Sequence, residues 1–217
     1  MKPYVTLLLV GTFGLVSCSQ DSITENGLNS ADKIAIKLDV SAPLSQSVYN
    51  ELDELFNTQV QTRAELGDDA MELRAKQILA PLVEEGVQIR DELIALSEAG
   101  KLEVKSTELM QIKDMDETQL AQFAFLADEC AKREDKKISS EYAIGRYSID
   151  DLTSCMTAAI GFDAFSGAFG YITGTAGLIT ARTALQLGVA VVGRTLGWVG
   201  VAWAIYDYGR CLRSRRR

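Results

Sequence analysis

The spacing of apolar residues changes from an alternating to a helical period near residue 43. Before that point, apolar residues alternate with more polar ones, which predicts one short, half-buried β-strand. These apolar residues are Ile34, Ile36, Leu38 and Val40. A single strand needs a partner, and Leu102 and Val104 in the segment KLEVKS are the candidates for a two-stranded ribbon.

Three amphipathic helices are predicted after residue 43, because apolar residues recur there every three or four positions. The first stripe consists of Val48, Leu52, Leu55, Phe56 and Val60. The second consists of Met71, Ala75, Ile78, Leu82, Gly86, Ile89, Leu93 and Leu96. The third consists of Leu120, Phe123, Ala127 and Cys130. No stripe can be buried alone, so together they predict a helical bundle.

Local signals set the limits of these helices. Gly100 is placed to cap the end of the second helix, and Asp116 with Gln119 forms a capping box for the third. Pro81 interrupts the second stripe, which predicts either a kink or two abutting helices. The charged run 132–137 ends the bundle, and Ser148 with Asp151 opens another helix.

Glycine is concentrated in the carboxyl-terminal segment. Ten of the 17 glycines fall between Gly161 and Gly209, although glycine in a helix costs about 0.5–1 kcal/mol relative to alanine. Their spacing resembles the small-xxx-small ridges that let helix backbones touch. We therefore expect a helical hairpin that turns near Arg182, with helix-packing glycines at Gly170, Gly174, Gly193, Gly197 and Gly200.

Two alternatives remain for this segment. The glycines can instead be turn residues, above all in the sequence Gly174 to Gly177. The hairpin can dock on the bundle or associate with a membrane, although Arg182 and Arg194 divide its apolar run. In composition it resembles the hydrophobic hairpins of pore-forming toxins and glycine-rich bacteriocins, which implies membrane activity as the alternative function.

The amino terminus resembles the signal of a bacterial lipoprotein. Lys2 precedes an apolar run from Tyr4 to Leu15, and the box Leu15-Val16-Ser17-Cys18 follows. The resemblance implies cleavage before Cys18, a lipid such as palmitate on that cysteine, and a location in the cell envelope. Ser19 takes the place of the aspartate that retains many lipoproteins in the inner membrane, so the resemblance implies the outer membrane.

Charge divides the chain into two parts. Residues 19–151 carry 14 basic and 28 acidic side chains, whereas residues 152–217 carry seven arginines and two aspartates. The acidic part argues against nucleic acid as its partner, because a phosphate backbone requires a basic surface. The basic tail 213–217 is interpreted as a solvated end, with anionic lipid or an acidic protein surface as the alternative.

Three cysteines remain once Cys18 carries lipid, and an exported protein meets an oxidising compartment. A hairpin turning near Arg182 would bring Cys155 and Cys211 to the same end, which predicts a disulfide between them and a buried thiol at Cys130. The competing pair is Cys130 with Cys155.

The residue types present argue against an enzyme. The chain has no histidine, which removes histidine general bases, the serine and cysteine triads and nearly all catalytic zinc sites. Acidic pairs such as Asp53-Glu54 and Asp91-Glu92 fall on predicted helix faces and are interpreted as solvated. The sequence shows no metal site, no cofactor motif and no catalytic residues.

These observations predict a mainly α protein: a helical bundle, then a glycine-rich helical hairpin, with one short β-strand or ribbon near the amino terminus. The expected organisation is a signal peptide (1–17), a flexible tether (18–31), an acidic bundle (32–137), the hairpin (148–212) and the basic tail (213–217). We expect a non-enzymatic envelope lipoprotein, held to the membrane through Cys18, that acts as a tethered interaction or structural module for a protein partner in the envelope. Its oligomeric state does not follow from the sequence.

Overall fold

Helices dominate the protein, as predicted. The computed structural model describes residues 34–37, 44–58, 68–131, 149–160, 178–193 and 196–215, and these residues form seven helices and a two-stranded sheet. The elements are β1 (Ala35–Lys37), α1 (Leu44–Thr58), α2 (Asp68–Glu98), α3 (Ser106–Lys113), α4 (Glu117–Ala131), α5 (Ile149–Ile160), β2 (Leu178–Thr180), α6 (Ala181–Val192) and α7 (Trp198–Ser214).

The stripes of α1 and α2 face the core as predicted. Four of the five residues of the first stripe are buried, while Val60 lies outside the described residues. Along α2 the stripe is buried from Met71 to Leu93, and Leu96 packs partly buried against the core. The predicted cap at Gly100 is confirmed by its positive φ of 67°. Lys101 N–H donates to the carbonyl of Leu96 at 2.9 Å, which completes a Schellman motif.

Pro81 does not divide α2 into two helices. The helix continues through it for 31 residues. Proline removes one backbone donor, and the carbonyl that loses its partner belongs to Gln77. Both residues are exposed, so water can hydrate that carbonyl and the helix need not end.

The capping box predicted for α4 is confirmed. Asp116 N–H donates to Gln119 Oε1 at 3.1 Å, and Gln119 N–H donates to Asp116 Oδ1 at 2.9 Å. The single predicted stripe was too narrow, however, because every residue from Gln119 to Ala131 is buried. Helices α2, α6 and α7 surround α4, which makes it the central helix of the described core.

The predicted strand exists, but its predicted partner is wrong. β1 pairs antiparallel with β2, and Ile36 lies opposite Ile179. Both isoleucines are buried, so this pairing covers the apolar side chain that the alternation predicted to be inside. Leu102 and Val104 instead lie in the connection between α2 and α3, where Leu102 is buried in the core.

The carboxyl-terminal segment is not the two-helix hairpin that we expected. Its described residues form α5, β2, α6 and α7, and Arg182 lies in the first turn of α6 rather than at a turn between helices. Thr180 caps this helix, because its hydroxyl accepts a hydrogen bond from Thr183 N–H at 3.1 Å. Helices α6 and α7 pack against the bundle in one continuous core.

The predicted disulfide partners are nevertheless brought together. Cys155 on α5 and Cys211 on α7 lie at disulfide distance, with their Cα atoms 5.6 Å apart. Cys130 is buried in α4, as predicted. The two cysteines lie together because α5 packs directly on α7. This contact does not require the two-helix hairpin from which the pair was predicted.

The predicted helix-packing role of three glycines is not seen. Gly193 ends α6 and Gly197 caps the start of α7, and a Cβ at either would meet no described atom within 4 Å. Among the described residues, a Cβ at Gly200 would meet only Leu196, from the residues just before α7, at 3.4 Å. These glycines serve helix ends because α6 and α7 are separate helices with a break between them. Gly170 and Gly174 lie outside the described residues.

Close helix contacts occur at other glycines. A Cβ at Gly86 would overlap the backbone carbonyl oxygen of Leu120, where α2 crosses α4. A Cβ at Gly188 on α6 would overlap Ile112 of α3, and one at Gly209 on α7 would lie 2.9 Å from the ring of Tyr49. Of these, Gly86 allows two backbones to touch, because its neighbour is main chain and cannot move aside.

Replacing Gly86 with alanine is expected to lower the free energy of unfolding by about 1–3 kcal/mol, because α2 must move away from α4. Gly193→Ala is the matched control, since Gly193 is exposed and has an ordinary φ of −71°. The control should leave the stability equal or slightly higher. Urea denaturation of both variants measures the difference, and equal midpoints would contradict the close contact.

Removing the disulfide with the double variant Cys155→Ala/Cys211→Ala is expected to lower the free energy of unfolding by about 2–4 kcal/mol. The bond links residues 56 positions apart and so restricts the unfolded chain. Thermal unfolding with and without a reductant tests this. Reduction should lower the melting temperature of the wild type and not that of the double variant; an unchanged wild type would refute the prediction.

Candidate interaction surface

An aromatic side chain lies exposed on α7 above two buried aromatic rings. Trp203 is 43% exposed, whereas Phe56 and Tyr206 are 8% and 4% exposed. The Trp203 ring centroid lies 5.0 Å from that of Phe56, in an edge-to-face arrangement, and 5.5 Å from that of Tyr206. We call Phe56, Trp203 and Tyr206 the aromatic surface.

Helices α1 and α7 hold the aromatic surface in place. Trp203 and Tyr206 are three residues apart, so they share one face of α7, and Phe56 ends the apolar stripe of α1. The hydroxyl of Tyr206 donates to Asn57 Oδ1 at 3.0 Å. Trp203 is therefore supported from beneath by side chains whose own positions are fixed, which lowers the entropy that a partner would have to remove.

A second polar link joins the same two helices. Arg213 Nη2 on α7 lies 2.8 Å from Asp53 Oδ1 on α1. Both side chains are about half exposed, so the link contributes at most about 1 kcal/mol. It keeps α1 beside α7 over a further two turns beyond Tyr206.

The start of α7 carries another aromatic residue. Lys76 Nζ lies 5.1 Å from the ring centroid of Trp198 and also forms an ion pair with Glu117. Trp198 is partly buried against the core. The contact with Trp198 ties the beginning of α7 to α2, and the ion pair ties α2 to α4.

The centre of the protein contains two buried acidic residues that the sequence analysis did not identify. Asp128 and Glu129 are 1% and 3% exposed, and they follow each other on α4. Tyr208 donates to Glu129 Oε2 at 3.0 Å from α7. Neighbouring residues on a helix point in different directions, so adjacency in the sequence does not by itself make these two carboxylates a catalytic pair.

Tyr49 of α1 lies beside this acidic pair. Its hydroxyl is buried and has no hydrogen-bond partner among the described residues. Burial of the hydroxyl raises the pKa of Tyr49 well above its ordinary value, and the negative charge of Glu129 raises it further. Phe125 packs against the rings of both Tyr49 and Tyr208, at centroid distances of 6.2 and 5.6 Å. The hydroxyl therefore stays protonated near neutral pH.

The remaining predicted features fall in several places. Cys18, Arg216 and Arg217 lie outside the described residues. Arg215 of the basic tail binds Asp151 and Ser154 of α5 at 3.0 and 2.9 Å, so part of the tail contacts the chain itself. Within the described ranges, no group of three or more acidic or cysteine side chains is placed to hold a metal ion.

None of the described helices is both long and apolar enough to cross a bilayer. The chain matches no protein-family model, no curated protein and no solved structure.

Tyr49→Phe and Tyr208→Phe each remove one buried hydroxyl group. We expect them to have different effects on the free energy of unfolding. Tyr208→Phe should lower the free energy of unfolding by about 1–3 kcal/mol, because a buried carboxylate loses a donor. Tyr49→Phe should leave it equal or higher, because the buried hydroxyl has no partner among the described residues. Urea denaturation at pH 7 measures both; a larger loss for Tyr49→Phe would contradict this assignment.

The Tyr49→Phe variant also tests the raised pKa of Tyr49. The unfolded chain releases the tyrosine proton near pH 10, while the folded chain retains it to higher pH. The neutral hydroxyl of Tyr49 therefore gives no pH dependence below about pH 10, and the free energy of unfolding falls as the pH rises above that value, because only the unfolded chain releases the proton. The decrease in stability between pH 9 and 11 should be shallower in Tyr49→Phe than in the wild type.

Proposed function

We propose that this chain is a non-enzymatic lipoprotein of a bacterial cell envelope whose helical body acts as a tethered interaction module. The lipoprotein box at Leu15 to Cys18 supports the anchor, and Ser19 supports the outer membrane as its location. In this proposal the lipid on Cys18 holds the protein at the membrane, and the helical body presents a surface to a protein partner in the envelope.

The exposure of Trp203 is the observation that carries this proposal. A half-exposed tryptophan leaves a large apolar area in water, and tryptophan is enriched among the residues that dominate binding at protein interfaces. Two buried aromatic residues hold it in position, as the centre of an interface requires. The core gains little from an exposed side chain, so a role in binding explains it better than a role in folding.

The placement of the acidic residues also supports binding over catalysis. Asp128 and Glu129 are buried where a substrate does not reach them. Other acidic residues, such as Asp91 and Glu92, lie on exposed helix faces, where neighbouring water stabilises their charge. Neither arrangement provides two carboxylates facing one substrate atom.

Photo-crosslinking in cells tests the proposed surface. Replacing Trp203 with p-benzoylphenylalanine in the full-length protein should yield an adduct with one partner protein, and the same replacement at exposed Gln77 on α2 should not. Trp203→Ala should then weaken binding of that purified partner at least tenfold, as expected for a residue central to an interface. Equal adducts at both positions, or binding unaffected by Trp203→Ala, would exclude this surface.

The anchor is tested separately. Mass spectrometry of the mature amino terminus should find Cys18 as the first residue, with lipid on its thiol. An unmodified Cys18, or cleavage elsewhere, would refute the anchor and leave the crosslinking result unaffected.

A further inference from the structure

Five basic side chains lie at one end of the described body, away from the arginines of the carboxyl-terminal tail. Four of the five lysines in the described residues lie near β1, the connection between α2 and α3, or α3 itself, and Arg182 begins α6 beside them. We call this group the basic end. It consists of Lys37, Lys101, Lys105, Lys113 and Arg182.

Hydrogen bonds between the elements place these residues in one region. Ala181 N–H donates to the carbonyl of Ile34, which joins the start of α6 to β1. Arg182 Nη1 donates to the carbonyl of Glu103 at 3.0 Å, which joins α6 to the connection between α2 and α3. Lys113 Nζ lies 3.1 Å from Glu98 Oε1, so the end of α3 returns to the end of α2.

The basic end differs in charge from the rest of the chain. The whole protein carries a net charge of −8. At the basic end, four acidic residues oppose the five basic residues: Glu98 and Glu108 pair with Lys113 and Lys105, and Glu103 and Asp114 are exposed. Lys37, Lys101 and Arg182 take part in neither pair, and five basic against four acidic side chains leave the basic end with a net charge of +1. The opposite, amino-terminal end of α2 begins with exposed acidic residues, Asp68 and Asp69.

An exposed apolar side chain accompanies this charge. Met110 is 65% exposed on α3, one turn before Lys113. A flexible apolar side chain among lysines is typical of surfaces that rest at the headgroup region of a bilayer. Helix α3 thus carries both a lysine and an exposed apolar side chain.

The chain also enters the described body at this end. Ile34, which directly precedes β1, lies only 16 residues after Cys18. At about 3.4 Å per residue this stretch reaches no farther than roughly 55 Å even when fully extended. A lipid on Cys18 would therefore keep the basic end at high local concentration beside the membrane, where weak electrostatic contacts suffice.

We propose that the basic end binds the anionic lipid headgroups of the membrane that holds Cys18. This inference rests on the lipid anchor of the proposed function and adds an orientation to it. Anionic headgroups attract basic residues that approach within a Debye length, about 8 Å at physiological salt, and repel the acidic faces of α1 and α2. The body then stands on the bilayer with its basic end down.

Lysine acetylation on vesicles tests this orientation. The mature lipidated protein is reconstituted on phosphatidylcholine vesicles with and without 30% phosphatidylglycerol, and the acetylation rate of each lysine is read by mass spectrometry. Lys37, Lys101, Lys105 and Lys113 should react about fivefold more slowly on the anionic vesicles. Lys76, near the opposite end of α2, is the internal control and should react at the same rate on both.

A double variant supplies the second measurement. Lys101→Gln/Lys105→Gln should restore most of the reactivity of Lys37 and Lys113 on anionic vesicles, because both replaced side chains are exposed and drive the contact. Lys76→Gln is the matched control and should not restore it. Raising the salt to 0.5 M should also abolish the difference between the two vesicles.

The outcomes separate the two proposals. Failure of the wild type to float with neutral vesicles would refute the lipid anchor, and with it this orientation. Flotation together with equal labelling on neutral and anionic vesicles would refute the orientation alone. Equal protection of Lys76 would also refute it, because the whole body would then contact the bilayer without a preferred end.

Discussion

The fold depends on burying α4 on every side. From Gln119 to Ala131 all its side chains are buried, two of them charged. Burial of an acidic group is costly unless hydrogen bonds replace its water, which makes the Tyr208 contact with Glu129 a condition of packing α7 against α4. On the other side, Gly86 removes the side chain that would keep α2 from the backbone of α4. These two contacts determine how closely α7 and α2 approach α4.

Features that depend on neighbouring residues could be predicted from the sequence. The stripes of α1 and α2, the Gly100 cap and the Asp116 capping box link residues at most five positions apart, so local periodicity and hydrogen bonding determine them. The partner of β1 could not be predicted, because Ile36 and Ile179 are distant in sequence and only tertiary packing brings them together. The carboxyl-terminal hairpin was predicted wrongly for a different reason, because glycine spacing does not distinguish a helix ridge from a helix end.

The candidate surface shows a similar division. The sequence indicates apolar and aromatic residues throughout α7, but it gives no way to decide which of them the bundle covers. Trp203 and Tyr206 share a helix face and yet differ about tenfold in exposure, because α1 covers Tyr206 and leaves Trp203 at its edge. The one signal available was the spacing of two aromatic residues three positions apart, which is equally typical of a buried helix face.

The length of α2 relates the two surfaces to each other. Its amino-terminal half lies beside α1, where Arg74 approaches Glu51, and its carboxyl end meets Lys113 at Glu98. At about 1.5 Å per residue, Arg74 and Glu98 are separated by about 36 Å along the helix. Because Phe56 lies little more than one turn from Glu51 on α1, the aromatic surface lies toward the end of α2 remote from the basic end. A body held to the membrane by its basic end would therefore present Trp203 well above the headgroups, where a protein partner can approach it.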